Sequence, residues 1–146
     1  MTHVYFESLS NPSHQLWDLT GAVTFYQSPV TIKYCTFENN RSEDALNIVR
    51  STFKLKNSQF NSTYSDAIDI DFSNIEVNEV NVKNSLNDCI DFSSGKYFLN
   101  KGTFENCGDK GISVGESSHL FGVDNILVDN QIGVQSKDRS TAILFN

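Results

Sequence analysis

A short phrase recurs along this chain at an almost fixed interval, and that recurrence restricts the fold more than any other property. The phrase is Asp66-Ala-Ile-Asp-Ile-Asp-Phe72, which returns upstream as Asp44-Ala-Leu-Asn-Ile48 and downstream as Asp88-Cys-Ile-Asp-Phe92. Its first apolar residue marks Val23, Leu46, Ile68, Ile90, Ile112 and Val134, in steps of 23, 22, 22, 22 and 22 residues. A second apolar pair keeps the step: Val30/Ile32, Phe53/Leu55, Ile75/Val77, Tyr97/Leu99, His119/Phe121 and Thr141/Ile143. A third marker follows at Phe37, Phe60, Val82, Phe104 and Ile126.

Each marker sits in a short run that alternates apolar and polar residues, the mark of a strand with one buried face. Three such strands in about 22 residues describe one coil of a parallel β-helix. The expected fold is therefore all-β: a right-handed parallel solenoid of five to six coils, forming one domain over residues 1–146. Right-handedness follows from the strong bias of parallel crossovers. The coils run from about 21 to 43, 44 to 65, 66 to 87, 88 to 109 and 110 to 132. The stretch Asn11 to Leu19, with Pro12 and Trp17, interrupts the period and is expected to be a loop leaning on the stack. Both ends fall inside the repeat with no polar capping segment, which reads as a piece of a longer polypeptide. End-to-end self-association, or packing against neighbouring domains, is the expected consequence.

A chain of 146 residues with 38% apolar composition fits one domain with a thin core. Its formal charge of −7 argues against a nucleic-acid partner, which needs a basic face. No run approaches the roughly 18 apolar residues of a membrane-spanning helix. Cys35, Cys89 and Cys107 show neither CxxC spacing nor a neighbouring His at ligand distance, so they read as three free thiols. His119, standing at an apolar marker, reads as a partly buried stacking residue. Asn39, Ser62, Asn84 and Asn106 recur two residues past the third marker and read as a ladder capping turn amides.

The phrases Gly21 to Tyr26, Ser42 to Ile48, Ser65 to Phe72, Gly108 to Glu116 and Ile132 to Asp138 resemble those of right-handed parallel β-helix proteins of the pectate-lyase-like superfamily, especially bacterial surface and secreted members. The resemblance implies an extracellular or cell-surface location and an association with polysaccharide. It does not choose among lyases, hydrolases, epimerases and adhesins, because these share the fold.

The chemistry rests on outward residues of the first strand: Thr24, Asn47, Asp69, Asp91, Ser113 and Gln135 in one row, and Tyr26, Val49, Asp71, Ser93, Gly115 and Lys137 in the next. A corner column of Asp44, Asp66, Asp88 and Asp109 is expected beside them. Carboxylates stacked about 5 Å apart repel by roughly 3 kcal/mol at an effective dielectric near 20, so something must offset that repulsion. Three arrangements would do so. The corner aspartates could accept turn N–H groups, with the others solvated. Asp66, Asp69, Asp88 and Asp91 could hold calcium, the one cofactor contemplated, since clustered carboxylate oxygens suit that ion. Asp69, Asp71 and Asp91 could be catalytic carboxylates at the separation inverting glycosidases use.

The superfamily's lyases employ an Arg or Lys base, and the resemblance points to Arg50 for that role. The hydrolase and epimerase phrases NTD, GHG, RIK and DPHD do not occur. The function expected is a structural or binding module of a secreted or surface protein. A polysaccharide-active enzyme built on the aspartate cluster is the alternative.

Overall fold

Because the apolar residues of each coil alternate, every strand can bury one face only against the strands of the coils above and below, and the chain closes on itself as a three-sided column. The computed structural model describes residues 1–14 and 17–146. Three parallel sheets of six strands each run along the column. The first holds Gly21–Tyr26, Asp44–Val49, Asp66–Asp71, Ile90–Ser93, Lys110–Gly115 and Ile132–Ser136. The second holds Val30–Lys33, Thr52–Lys56, Asn74–Asn78, Lys96–Asn100, His119–Val123 and Thr141–Phe145. The third holds Tyr5–Glu7, Thr36–Glu38, Gln59–Thr63, Asn81–Ser85, Thr103–Glu105 and Ile126–Val128. This is the expected solenoid of about six coils.

The core is a set of stacked columns. Leu46, Ile68, Ile90 and Ile112 are register neighbours in the first sheet, each fully buried. In the third sheet Phe37 and Phe60 stack with centroids 4.4 Å apart and planes 4° from parallel. Like residues on like residues is the arrangement a repeat imposes, since each ring meets its own counterpart one coil away.

The corners are turned by residues in the left-handed region. Gln27, Arg50, Phe72 and Ser94 follow the first strand, Tyr34, Asn57, Glu79 and Lys101 the second, Asn39 and Asn106 the third, and Ser62 and Asn84 stand next to last in theirs, all with φ between 48° and 59°. A non-glycine residue there costs of the order of 1 kcal/mol. The cost is offset because the N–H still donates to the next coil: Arg50 N to Asp71 O at 2.9 Å, Glu79 N to Asn100 O at 2.9 Å and Asn106 N to Val128 O at 3.0 Å. The parallel ladder thus continues round the bends. The amide ladder forms in part, Asn106 Nδ2 donating to Asn84 Oδ1 at 2.7 Å, but Asn84 then donates to Asn61 rather than Ser62.

Four expectations are corrected. The turn after Lys110–Gly115 contains three residues, Glu116, Ser117 and Ser118, where the coil below has only Ser94 and Gly95. Tyr97 consequently pairs with Leu120 and Phe104 with Leu127, a step of 23. His119, Phe121 and Ile126 therefore face outward, because the longer turn lets Leu120 and Leu127 take the core side. A shorter turn before Ile132 restores the first-sheet register.

Second, the corner column continues from Asp88 to Lys110, not Asp109, since Lys110 N donates to Asp88 Oδ1 at 2.9 Å. Third, Ser13–His14 and Trp17–Asp18 pair antiparallel within the stretch expected as a loop. Gln15, Leu16 and the side chain of Trp17 lie outside the described residues.

Fourth, Cys89 and Cys107 form a disulfide with Cα atoms 5.6 Å apart, and Cys35 is free and buried. No two of the cysteines occupy the same position in successive coils, so stacking alone would leave all three thiols free. Cys89 and Cys107 close a single coil, 18 residues from corner to corner. Reduction, or Cys89→Ser, is expected to remove about 2–3 kcal/mol of stability through the freed loop. A melting temperature indifferent to dithiothreitol would show that the thiols are not bonded.

Candidate functional site

The first sheet carries the acidic residues because its outward positions recur as Asp in the third and fourth coils. Asp69 pairs in register with Asn47 on one side and Asp91 on the other, and Asp91 pairs with Ser113. Asp71 stands two residues along the strand from Asp69, beside Val49 and Ser93. The structure therefore brings together Asp69, Asp71 and Asp91 as the spacing required. The row is sunk rather than proud of the surface: Asn47 is 5% exposed and Ser113 0%.

The corner aspartates do a different job. Asp66 Oδ1 accepts from Asp88 N at 2.8 Å and from Asn87 Nδ2 at 2.7 Å. Asp88 Oδ1 accepts from Lys110 N, and the Lys110 ammonium lies 3.3 Å from the same oxygen while also pairing with Asp109. In this column Asp66 and Asp88 each cap the backbone of the coil above, and the column ends in a cation. The set expected to hold calcium is thus split: Asp66 and Asp88 serve the turns, and Asp69 and Asp91 face the row. Among the described residues no three His, Cys, Asp or Glu side chains converge as a metal site.

In and beside the row, several buried polar atoms lack partners among the described residues. Asn47 Nδ2 donates to Asp69 Oδ2 at 2.9 Å. Asp91 Oδ1, Asp44 Oδ2 and Ser113 Oγ are buried atoms with no hydrogen-bond partner. Burial, reinforced by the neighbouring carboxylates Asp44, Asp71, Asp91 and Asp66, pushes Asp69 up to about 9. Burial also raises Asp44 to about 7 and Asp66 to about 6, and it raises Asp71. Near neutral pH Asp69 therefore holds a proton, which removes the repulsion that an all-ionised stack would carry.

Residues 20–146 match the family described as the right-handed β-helix region. The chain belongs to the right-handed β-helix family. No curated protein and no solved structure matches it. In this β-helix, as far as its described residues go, no helix is long and apolar enough to cross a membrane.

The remaining site residue foreseen from the sequence, Arg50, lies at the corner beyond the row. Its guanidinium donates to Tyr26 Oη at 3.2 Å and stacks 5.3 Å from the centre of the Phe72 ring. The β-helix also presents two groups absent from the outward rows read in the sequence. Phe72 is exposed at that corner beside Tyr26, and Glu116, which accepts from Ser93 Oγ, extends the acidic edge. Phe72 was hidden because it turns a corner with positive φ, a role usually signalled by Gly or Asn. Glu116 was hidden because it belongs to the lengthened turn.

Proposed function

We propose that this right-handed β-helix is a glycan-binding module of a secreted or cell-surface protein, taking a hydroxyl-rich, uncharged or amino-bearing sugar along the row Asn47, Asp69, Asp91 and Ser113. The observation that carries the reading is the shortage of donors to the carboxylates of the row: among the described residues Asp69 takes one hydrogen bond, from Asn47 Nδ2, and Asp91 Oδ1 has no partner. A buried polar atom left unpaired costs about 1–3 kcal/mol. The partly exposed carboxyls of Asp69 and Asp91 are the part of the row a ligand can reach, and sugar hydroxyl and ammonium groups bring the donors they lack. The formal charge of −7 disfavours polyanions. A rigid sheet holds the row without paying much ordering entropy on binding.

Isothermal titration with oligomers of β-1,4-linked glucose and glucosamine tests the reading. Binding that Asp91→Ala weakens by about tenfold or more is expected, from the loss of charge-assisted hydrogen bonds, while hyaluronan should not bind. Failure of both glucose and glucosamine oligomers to bind would sink the reading.

A hydrolase is the second reading, favoured by one observation: Asp69, pushed up to about 9, stands two residues from Asp71 and in register with Asp91, so that a protonated carboxyl adjoins further carboxyl groups. That pairing is what a general acid and its partner need. If the β-helix hydrolyses the oligomer it binds, new reducing ends accumulate, and Asp69→Asn abolishes their release. A bound oligomer that stays intact keeps the module reading and excludes this one.

A further inference from the structure

The register shift in the fifth coil does more than move His119 out of the core: it puts a second phenylalanine directly above Phe98. Phe98 and Phe121 are register neighbours on the outward face of the second sheet, with ring centroids 6.1 Å apart. Phe145, in the next strand, brings its ring to 5.5 Å from Phe121. The three are 54%, 40% and 55% exposed. In the coils below, the same column holds Lys54 and Glu76, a surface ion pair. The aromatic strip therefore begins at Phe98, rises to Phe121 and steps sideways to Phe145, since Ile143 is the register neighbour of Phe121 and Phe145 pairs with Val123.

The strip has a polar edge. Lys96, His119 and Thr141 form the neighbouring outward column, with His119 Nδ1 2.8 Å from Thr141 Oγ1. At its inner end lies a depression of about 420 Å³ lined by Asn74, Ser94, Lys96, Glu116 and His119. The lengthened turn at Glu116 and Ser117 forms its upper wall. Gly95 forms its floor, where a Cβ would collide with the carbonyl oxygen of Ser73. Ser94 Oγ donates to Glu116 O at 2.9 Å across the wall, and Glu116 also receives Ser93 Oγ, a residue of the outer first-sheet row. The depression thus lies at the corner between the two faces, next to the outer first-sheet row through Glu116 and Ser93 and next to the polar edge of the strip through Lys96 and His119.

An occupant of this path needs an apolar face for the rings and hydrogen-bonding groups along its edge. A pyranose ring has that form, with C–H bonds on its face and hydroxyls at its rim. Phe98 and Phe121, exposed one coil apart, with Phe145 alongside in the next strand, offer successive stacking surfaces of the kind that binds such faces. The continuity with the row makes one long ligand the economical occupant. We infer that Phe98, Phe121 and Phe145 form a second subsite for the ligand of the aspartate row, so that the glycan is an extended oligosaccharide that bends over the Glu116 corner onto the second sheet. The inference rests on the glycan-binding reading given above.

Trimers and hexamers of β-1,4-linked glucose and glucosamine, titrated calorimetrically, separate the two. The double variant Phe98→Ala/Phe121→Ala is expected to weaken hexamer binding by about tenfold while leaving the trimer unchanged, and Phe98→Tyr/Phe121→Tyr should bind the hexamer as the parent does. These side chains are exposed, so the melting temperature of each variant serves as the control for folding. Hexamer affinity unchanged in the alanine variant, with Asp91→Ala still weakening both probes, overturns the subsite and leaves the proposed function standing. Equal loss of trimer and hexamer overturns it as well, since the rings would then act on the row itself. Sedimentation velocity completes the test: a parent that dimerises and an alanine variant that does not would assign the strip to a second copy of the chain and overturn the inference. If neither probe binds the parent at any length, the inference and the proposed function fall together.

Discussion

Ile90→Asp is expected to unfold the whole array rather than loosen one coil. Ile90 is fully buried between Ile68 and Ile112, with no polar group in its column. An unpaired charge placed there costs of the order of 3–5 kcal/mol. Nearest-neighbour coupling spreads the damage, because the coils on either side lose the surface that buries them. The stability of a domain this size is typically about 5–15 kcal/mol, so the substitution consumes much of it. Ile90→Ala, which only opens a cavity, should cost about 2–4 kcal/mol and still fold. The adjacent change Asp91→Asn alters no buried apolar contact and should leave the fold intact. Far-UV circular dichroism with urea melts reads all three. A folded Ile90→Asp beside an unfolded Asp91→Asn would mean that the inward and outward faces are exchanged.

Stability should fall as pH rises from about 4 to 9, the reverse of the usual behaviour of carboxylates held in ion pairs. Asp69 stands at about 9, Asp44 at about 7 and Asp66 at about 6 in the folded chain, against about 3.9 when unfolded. Between the unfolded and folded values the native state binds more protons than the unfolded one, so the slope of stability with pH is negative. The contribution is fully present below about pH 4 and is lost as pH climbs through 6, 7 and 9 in turn. Glu38 and Glu76, which hydrogen bonds hold below the usual range, slope the other way but are more exposed and weigh less. Asp69→Asn keeps the shape and the hydrogen-bonding capacity while deleting the largest titration. It should flatten the profile and stabilise the chain at pH 9 by roughly 2–4 kcal/mol. Thermal melts from pH 4 to 9 decide it: a parent most stable at the alkaline end would contradict the proton-bearing assignment of Asp69.

The column, its three faces and the aspartate row were legible in the sequence for a physical reason. Alternation fixes which side of a strand is buried, and a period near 22 fixes which residues stack, so Asn47, Asp69, Asp91 and Ser113 fall into one row without coordinates. What stayed hidden depends on corners. A turn one residue longer at Ser117 leaves no mark on a count made at the first strand, because the next turn restores the phase; only the comparison of Leu120 with His119 as a core residue would have exposed it. The disulfide was missed because Cys89 and Cys107 meet within one coil, a pairing that vertical stacking does not test. The positive-φ corners carry Arg50, Phe72 and Glu79, residues with no intrinsic preference for that conformation, so their geometry is set by the inter-coil hydrogen bonds.

That same lengthened turn says where this protein tolerates added chain. Glu116 and Ser117 already carry one residue more than the bend beneath, and the inner columns resume their spacing within the coil. A surface bend that absorbs length without shifting the strands is the natural point of insertion, since a longer exposed loop there adds only about 0.6 kcal/mol of closure entropy for each doubling. A peptide or a small domain grafted between Glu116 and Ser117 would project beside the aspartate row, while the stack beneath kept its registration.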